Sequence, residues 1–319
     1  MSQSEELLQK FKDIVADPHE YAKAWKARTG GKVIGWFCSY CPVEIIYAAN
    51  MLPVRVLGGN EPDRLSDVYM FGKCCPYSRN CLAQGLKGKY DYLDGIAHAR
   101  SCDAIELAFH NWCRFLPTSF KHYILMPGHV DSPRALPLLI EEYRDFKDAL
   151  GKIDNTTVSE EDLKRAVKEF DTNRALMRQI YELKKMDVPL ITGAEALEIS
   201  IAGQVMDVKE HNDLLRQLLK ALPDRKLGRE PGVRLMLAGS VNDNVGFVEL
   251  VEQCGATCVI EENCCSTKHF WDEVGPGENV LEAIASRYLN RWPCPSFDWK
   301  ATGEKRGRWQ RLWALTQEY

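Results

Sequence analysis

The amino-acid sequence predicts an α/β protein with two doubly wound parallel-sheet domains joined by a helical connector. Strand-length apolar runs alternate with helix patterns towards both ends of the chain, whereas positions 137–222 show only long helix patterns. A length of 319 residues also exceeds one ordinary compact core. We therefore predict an N-terminal α/β domain over residues 1–130, a helical connector over 131–228 and a C-terminal α/β domain over 229–319.

The first domain is predicted from a repeated strand–helix rhythm. Because consecutive strands separated by helices pair in parallel, four strands in one doubly wound sheet is the simplest arrangement. The predicted strands are 32–37, 54–57, 93–97 and 122–126, and the predicted helices between them are 43–51, 77–86 and 103–115.

The second domain shows the same rhythm over a shorter length. Strands are predicted at 233–238 and 257–261 with a helix at 245–254 between them, and further helices follow Ser266 and Glu278. A last helix is predicted at 304–319. A two-stranded parallel sheet leaves an edge unpaired, so we expect this domain to be incomplete in the sequence. The alternative, in which the last helix simply covers the second sheet, stays open.

Composition narrows the class of protein. Hydrophobic residues make up 45% of the chain and charged residues 27%, as in soluble globular proteins. The net charge of -4 provides no basic field for nucleic acid. Residues 1–12 read as a charged helix start rather than a signal peptide, and no run of about 18 apolar residues occurs. We predict a cytoplasmic protein that binds neither nucleic acid nor membrane.

Twelve cysteines need a functional explanation, because a reducing compartment disfavours structural disulfides. Several follow predicted strands or begin predicted helices, and in a doubly wound sheet these positions meet in the crevice at the carboxyl ends of the strands. Helix N-termini also favour the thiolate that binds iron. The cysteines at such positions are Cys38, Cys41, Cys74, Cys75, Cys102, Cys264 and Cys265. Three others lie on apolar faces and are predicted to be core residues: Cys113, Cys254 and Cys258.

The spacing of these cysteines leaves two kinds of chemistry open. Cys38 and Cys41 form a C-x-x-C pair at a strand-to-helix turn, which also fits a thioredoxin-type dithiol. A zinc knuckle requires two close pairs at a fixed interval, whereas these cysteines extend over more than two hundred residues. That distribution favours an iron–sulfur cluster held between domains.

Four segments resemble the 2-hydroxyacyl-CoA dehydratase family, which includes the ATP-dependent benzoyl-CoA reductases. The middle segment looks closest to a reductase B-type subunit. The segments are 35–49 (GWFCSYCPVEIIYAA), 75–95 (CPYSRNCLAQGLKGKYDYLDG) continuing to Cys102, 259–271 (VIEENCCSTKHFW) and 286–296 (SRYLNRWPCPS).

The resemblance implies a set of cluster ligands. Cys75 and Cys102 match the first two cysteines that such subunits supply to a [4Fe-4S] cluster. The third lies late in the family, commonly in a Phe-Cys-Asp segment that this sequence does not reach, so Cys294 is the late candidate here. Cys264 matches a family cysteine that is usually single; the neighbouring Cys265 is either incidental or a further thiol for a double-cubane cluster.

The resemblance also implies an activity and its partners. The expected function is that of an iron–sulfur subunit of a benzoyl-CoA reductase type enzyme, an oxidoreductase of anaerobic aromatic degradation that passes low-potential electrons to an aromatic acyl-CoA thioester. The alternatives are a subunit of an (R)-2-hydroxyacyl-CoA dehydratase, which is a lyase, and a non-catalytic electron-transfer or scaffold subunit. The implied partners are the acyl-CoA substrate, a homologous cluster-bearing subunit and a separate ATP-hydrolysing iron–sulfur activator. No phosphate-binding G-x-x-x-x-G-K-[ST] run occurs in this chain.

Four further residues are candidates for the chemistry of the site. His98 and His129 follow predicted strands and are candidate proton donors, or else structural histidines. Thr267 and Lys268 begin a helix after a strand, where backbone N–H groups and a positive charge could bind a phosphate of coenzyme A. An ordinary capped helix is the alternative interpretation.

Overall fold

Two helices precede the first strand in the computed structural model, which describes residues 2–59, 63–291, 294 and 307–319. Ser2 and Glu5 form a capping box at the start of α1 (Gln3–Ala16). The Asp17 carboxylate accepts from a backbone N–H at the start of α2 (Pro18–Thr29). The predicted helix near the N-terminus is therefore confirmed.

The first sheet has four parallel strands. Its elements, in chain order, are β1 (Val33–Trp36), α3 (Val43–Ala48), β2 (Leu52–Arg55), α4 (Pro76–Leu86), β3 (Gly95–Ala99), α5 (Asp103–Phe115) and β4 (Phe120–Ile124). The strand order is β2-β1-β3-β4, so the chain pairs β2 with one edge of β1 and then crosses to place β3 on the other edge. This reversal makes the carboxyl ends of β1 and β3 the topological switch point, the usual ligand site of an open α/β sheet.

The α/β class and all four strands of this sheet are confirmed, with shifts of two residues for β2, β3 and β4. Val56 and Leu57 continue the apolar run after β2 and are buried in the following loop. Met126 is likewise buried beyond the end of β4. Apolar runs mark burial whether or not the backbone is paired, which explains why the pattern placed β2 and β4 two residues late.

Four helices lead from the first sheet to the second. They are α6 (Ala135–Ile153), α7 (Glu160–Glu182), α8 (Gly193–Ala202) and α9 (Val208–Ala221). Residues 137–222 are all described and contain no strand, as predicted. Ser159 begins α7 with a capping box that includes Asp162. No helix within the described ranges combines the length and the apolar character needed to cross a bilayer.

The second sheet has two described strands, which pair in parallel. Its elements are β5 (Val233–Ala238), α10 (Val245–Gln253), β6 (Ala256–Glu262), α11 (Thr267–Phe270), α12 (Val280–Asn290) and α13 (Arg308–Glu318). These match the predicted elements, although residues 304–306 of the predicted last helix lie outside the described residues. Helix α7 packs against α3, and α8 packs against β6, so the helical segment contacts both sheets. The domain boundaries and the incompleteness of the second domain stay predictions.

A buried carboxylate ties α3 to α7 and α12. Glu44 is fully buried; one of its oxygens accepts from Arg174 of α7 and the other accepts from the Tyr288 hydroxyl of α12 at 2.8 Å. Burial alone would raise the pKa of Glu44, but the positive charges of Arg174 and Arg287 hold it below its usual value. The carboxylate is therefore ionised and is a central contact between these helices.

We expect Glu44→Gln to lower the stability of the fold by about 3–5 kcal/mol, because it leaves the Arg174 guanidinium buried with a neutral partner. The measurement is the midpoint of urea unfolding. Glu161→Gln is the control, since Glu161 pairs with Lys164 on the exposed face of α7 at 2.8 Å and its loss should leave the midpoint unchanged. Equal midpoints for Glu44→Gln and the wild type would contradict the assignment.

A second carboxyl lies between α1, α8 and α10, where it borders an open cavity of about 680 Å³. Burial, with smaller contributions from Glu195 and Glu249, raises the pKa of Glu198 to about 7, although Lys12 opposes the shift. The folded state therefore binds a proton here more tightly than the unfolded chain does.

A raised carboxyl pKa contributes stability that is complete below about pH 4.5 and is lost as the pH rises through about 7. We expect Glu198→Gln to remove this loss, so that the variant is more stable than the wild type at pH 8 but not at pH 4.5. Urea midpoints across this range measure the difference. Parallel pH profiles of the two proteins would show that Glu198 has an ordinary pKa.

Candidate functional site

Loops from both sheets meet at the carboxyl ends of β1 and β6. The Ser39 hydroxyl, in the loop after β1, donates to the backbone carbonyl of Cys264 after β6 at 3.2 Å. Arg55, the last residue of β2, donates to the same carbonyl through Nη1 at 2.6 Å. Arg291, at the end of α12, donates to the carbonyls of Ser39 and Lys268. The crevice predicted from the cysteine positions therefore exists, and hydrogen bonds join its two sides.

Four cysteines distant in sequence come together at this crevice. Cys102 is the N-cap residue of α5, and Cys75 has the same position at the start of α4. Burial raises the pKa of the Cys102 thiol, the backbone N–H of Ile105 lowers it, and Cys294, Cys75 and Cys264 each raise it further. Such mutual repulsion acts only at short range. The structure therefore brings together Cys75, Cys102, Cys264 and Cys294, the four predicted ligands.

These thiols are not arranged around a single ion. Within the described part of the chain, no three His, Cys, Asp or Glu side chains are placed closely enough to hold one metal ion. A four-iron cluster separates its cysteine ligands more widely than a single ion does, and soft thiolates suit it. The donor set therefore fits a cluster better than a mononuclear metal, and the ligand roles stay predictions.

The Cys38-x-x-Cys41 pair does not have the properties of a thioredoxin-type dithiol. Burial raises the pKa of Cys38 to about 11, with Cys264 adding to the shift, and burial raises the pKa of Cys41 well above its usual value. Redox-active C-x-x-C motifs instead have a thiol of lowered pKa. Cys41 packs in the core beneath the sheet, so only Cys38 lies near the crevice.

The neighbouring cysteines divide between crevice and core. Cys265 is fully buried, and its backbone carbonyl accepts from Ser200 at 2.7 Å and Gln204 at 2.8 Å. Cys258 is buried as predicted, and Cys113 is half-buried. The prediction of a core position for Cys254 is wrong: it is exposed, because α10 ends at the preceding residue and leaves Cys254 in the turn that follows.

The two candidate proton donors have opposite environments. His98 lies inside β3 rather than after it, and its ring packs between Phe37, Phe109 and Tyr123. Neither ring nitrogen has a hydrogen-bond partner among the described residues, and burial lowers the pKa of His98 to about 3. His98 is therefore a neutral imidazole. His129 is exposed in the loop that follows β4.

Thr267 and Lys268 are both engaged with the protein itself. The Thr267 hydroxyl donates to the Glu261 carbonyl at 2.8 Å. The buried Lys268 ammonium donates to the Gly239 carbonyl at 3.0 Å and pairs with Glu262 at 3.2 Å. A coenzyme A phosphate would have to displace these contacts, and the phosphate-binding role stays a prediction.

Sequence reasoning missed the arginines around the crevice. Arg55 and Arg291 are buried beside Cys264, and Arg287 lies one turn before Arg291 on α12. Isolated arginines read as surface charges in a sequence, because arginine is seldom fully buried unless it is paired. A faint signal was present at Arg55, since it ends an otherwise apolar strand.

Comparison with known proteins agrees with this geometry. The profile of the family described as 2-hydroxyglutaryl-CoA dehydratase, D-component, matches residues 38–319. The (R)-phenyllactyl-CoA dehydratase beta subunit of Clostridium sporogenes is 24% identical over 297 residues, which cover 91% of this chain and 78% of that one.

Two further relatives are named for different activities. A benzoyl-CoA reductase subunit of Thauera aromatica is 23% identical over 84% of this chain and 71% of its own. The (R)-2-hydroxyglutaryl-CoA dehydratase subunit beta of Acidaminococcus fermentans is 23% identical over 88% of this chain and 75% of its own. The reductase relative is not named as a B-type subunit, so a B-type role stays a prediction. With the family profile matching nearly nine-tenths of its length, this chain belongs to the 2-hydroxyglutaryl-CoA dehydratase D-component family, whose relatives include benzoyl-CoA reductase and 2-hydroxyacyl-CoA dehydratase subunits.

Proposed function

We propose that this chain is the iron–sulfur subunit of a benzoyl-CoA reductase type enzyme, in which it passes low-potential electrons to an aromatic acyl-CoA thioester. One observation carries the proposal: Cys75, Cys102, Cys264 and Cys294 come from distant parts of the sequence and meet at the switch point of the first sheet. A [4Fe-4S] cluster held there would supply one-electron transfer.

The chain's own residues would hold and surround that cluster. Cys75 and Cys102 lie at the N-termini of α4 and α5, where the positive helix ends favour thiolates. Cys264 is fixed through its carbonyl by Ser39 and Arg55. Of the two histidine candidates, His129 is the one open to solvent and able to exchange a proton with it.

A subunit of an (R)-2-hydroxyacyl-CoA dehydratase is the second candidate. It is favoured by the family description and by two of the relatives, whose names are those of dehydratase subunits. Both functions would use the same cysteines. A non-catalytic electron-transfer subunit would instead complete the cluster with four cysteines and leave no iron open to substrate.

The proposed partners define the test of activity. We propose a homologous cluster-bearing subunit and a separate ATP-hydrolysing activator. We expect the isolated chain to be inactive, and the chain purified without oxygen together with both partners to reduce benzoyl-CoA with ATP. The parallel assay uses a 2-hydroxyacyl-CoA and measures loss of water. Turnover of only the hydroxyacyl-CoA would favour the dehydratase, and turnover by the isolated chain with NADH would contradict the need for partners.

The ligand roles have a separate test. We expect Cys75→Ser and Cys102→Ser, prepared without oxygen, to lose most of their iron and sulfide, because a serine hydroxyl is a poor ligand for this cluster. Cys113→Ser is the matched control: Cys113 is half-buried on the same helix as Cys102 but lies at its other end. Full iron content in either ligand variant would rule out that cysteine.

A further inference from the structure

An unusual concentration of positive charge lies behind the cysteine crevice. Four arginines, Arg55, Arg174, Arg287 and Arg291, act on His269, and together with burial they lower its pKa well below its usual value. All four guanidinium groups are buried. A buried charge without a counter-charge is expensive, so each of these arginines requires an explanation.

Only one of the four has carboxylate partners within the part of the chain that the structure describes. Arg174 pairs with Glu44 and, at 2.7 Å, with Asp171. Arg287 donates to the carbonyls of Asp272 and His269, at 2.9 and 3.0 Å. It also lies within electrostatic reach of Glu44. Arg174 and Arg287 are therefore compensated by the helical layer itself.

Arg55 has no comparable compensation among the described residues. Its Nη1 donates to neutral acceptors, Gln204 Oε1 and the Cys264 carbonyl, both at 2.6 Å, and its Nε has no hydrogen-bond partner there. The guanidinium lies over the ring of Trp36, 5.0 Å from its centre. Asp243 interacts with it, but burial raises the pKa of that carboxyl and so favours its neutral form. A full positive charge is thus buried beside Cys264.

Arg291 approaches the same cysteine from the other side. It donates to the backbone carbonyls of Ser39 and Lys268, and it lies over the ring of Tyr40, 4.8 Å from its centre. Besides Tyr40, the groups that favour its charged form most are Cys264 and Cys38. Unlike Arg55, Arg291 also borders an open pocket of about 610 Å³, so solvent screens it partly.

We propose that Arg55 and Arg291 form a positive wall that stabilises the negative charge of a thiolate-ligated iron–sulfur cluster at Cys264 and raises its reduction potential. The inference rests on the cluster of the proposed function. Each electron added to the cluster increases its negative charge, and two adjacent buried guanidinium groups favour that charge. The missing counter-charge of the two arginines is then the cluster itself.

The experiment is a redox titration of the cluster, followed by electron paramagnetic resonance, in protein prepared without oxygen. The variants are Arg55→Gln, which keeps hydrogen-bonding capacity but removes the charge, Arg55→Lys, which keeps the charge, and Arg291→Gln. Arg225→Gln is the control, because Arg225 pairs with Glu195 at 2.6 Å away from the crevice. Iron content and circular dichroism establish that each protein is loaded and folded.

We expect Arg55→Gln to lower the midpoint potential by the equivalent of at least a tenfold fall in the ratio of reduced to oxidised cluster, about 59 mV for one electron. Arg291→Gln should give a smaller shift of the same sign, because its charge is partly screened. Arg55→Lys and Arg225→Gln should keep the potential of the wild type.

The outcomes separate this inference from the proposed function. A wild-type protein that binds no iron overturns the proposed cluster and this inference with it. A loaded cluster whose potential is the same in wild type, Arg55→Gln and Arg291→Gln overturns the inference alone. If Arg55→Gln does not fold, Arg291→Gln decides: a lowered potential supports the inference, and an unchanged one overturns it.

Discussion

The guanidinium of Arg55 joins three parts of the chain that are far apart in sequence. It extends from the end of the first sheet to Gln204 of the helical segment and to Cys264 of the second sheet's loop. Gln204 in turn binds the carbonyl of Cys265, and the backbone N–H of Arg55 donates to the carbonyl of Gln204 at 2.8 Å. The geometry of the crevice depends on this contact, because one side chain bonds all three regions at a single point. A side chain that fixes the position of Cys264 also brings a positive charge to it.

The fold could be predicted from the sequence because its elements are locally consistent. The inner strands of the first sheet are buried on both faces and carry continuous apolar runs, and helix caps such as that at Ser159 are encoded by adjacent residues. The exact ends of strands could not be predicted, since Val56, Leu57 and Met126 are buried without lying in a strand. Burial is a property of the whole fold, whereas the hydrogen-bond ladder is a property of the backbone.

The candidate site was predictable in part. A rule of topology places the residues after parallel strands in one crevice, and that rule sufficed to bring Cys75, Cys102 and Cys264 together. The aromatic enclosure of His98 was hidden, because it depends on which face of β3 the side chain occupies. The arginines were hidden for a different reason: their partners are backbone carbonyls and aromatic rings, which leave no signature in the sequence.

The cysteines at the crevice differ in how far solvent can reach them. Cys75 is exposed, Cys102 and Cys38 are half-buried, and Cys41 is buried. Oxidation of a thiol to sulfenic acid and beyond requires both the thiolate and access for the oxidant, so damage by air would begin at Cys75 and advance inward. The part of the crevice that an electron donor can approach is thus also the part that oxygen attacks first. For this geometry, vulnerability to oxygen follows from accessibility to a redox partner.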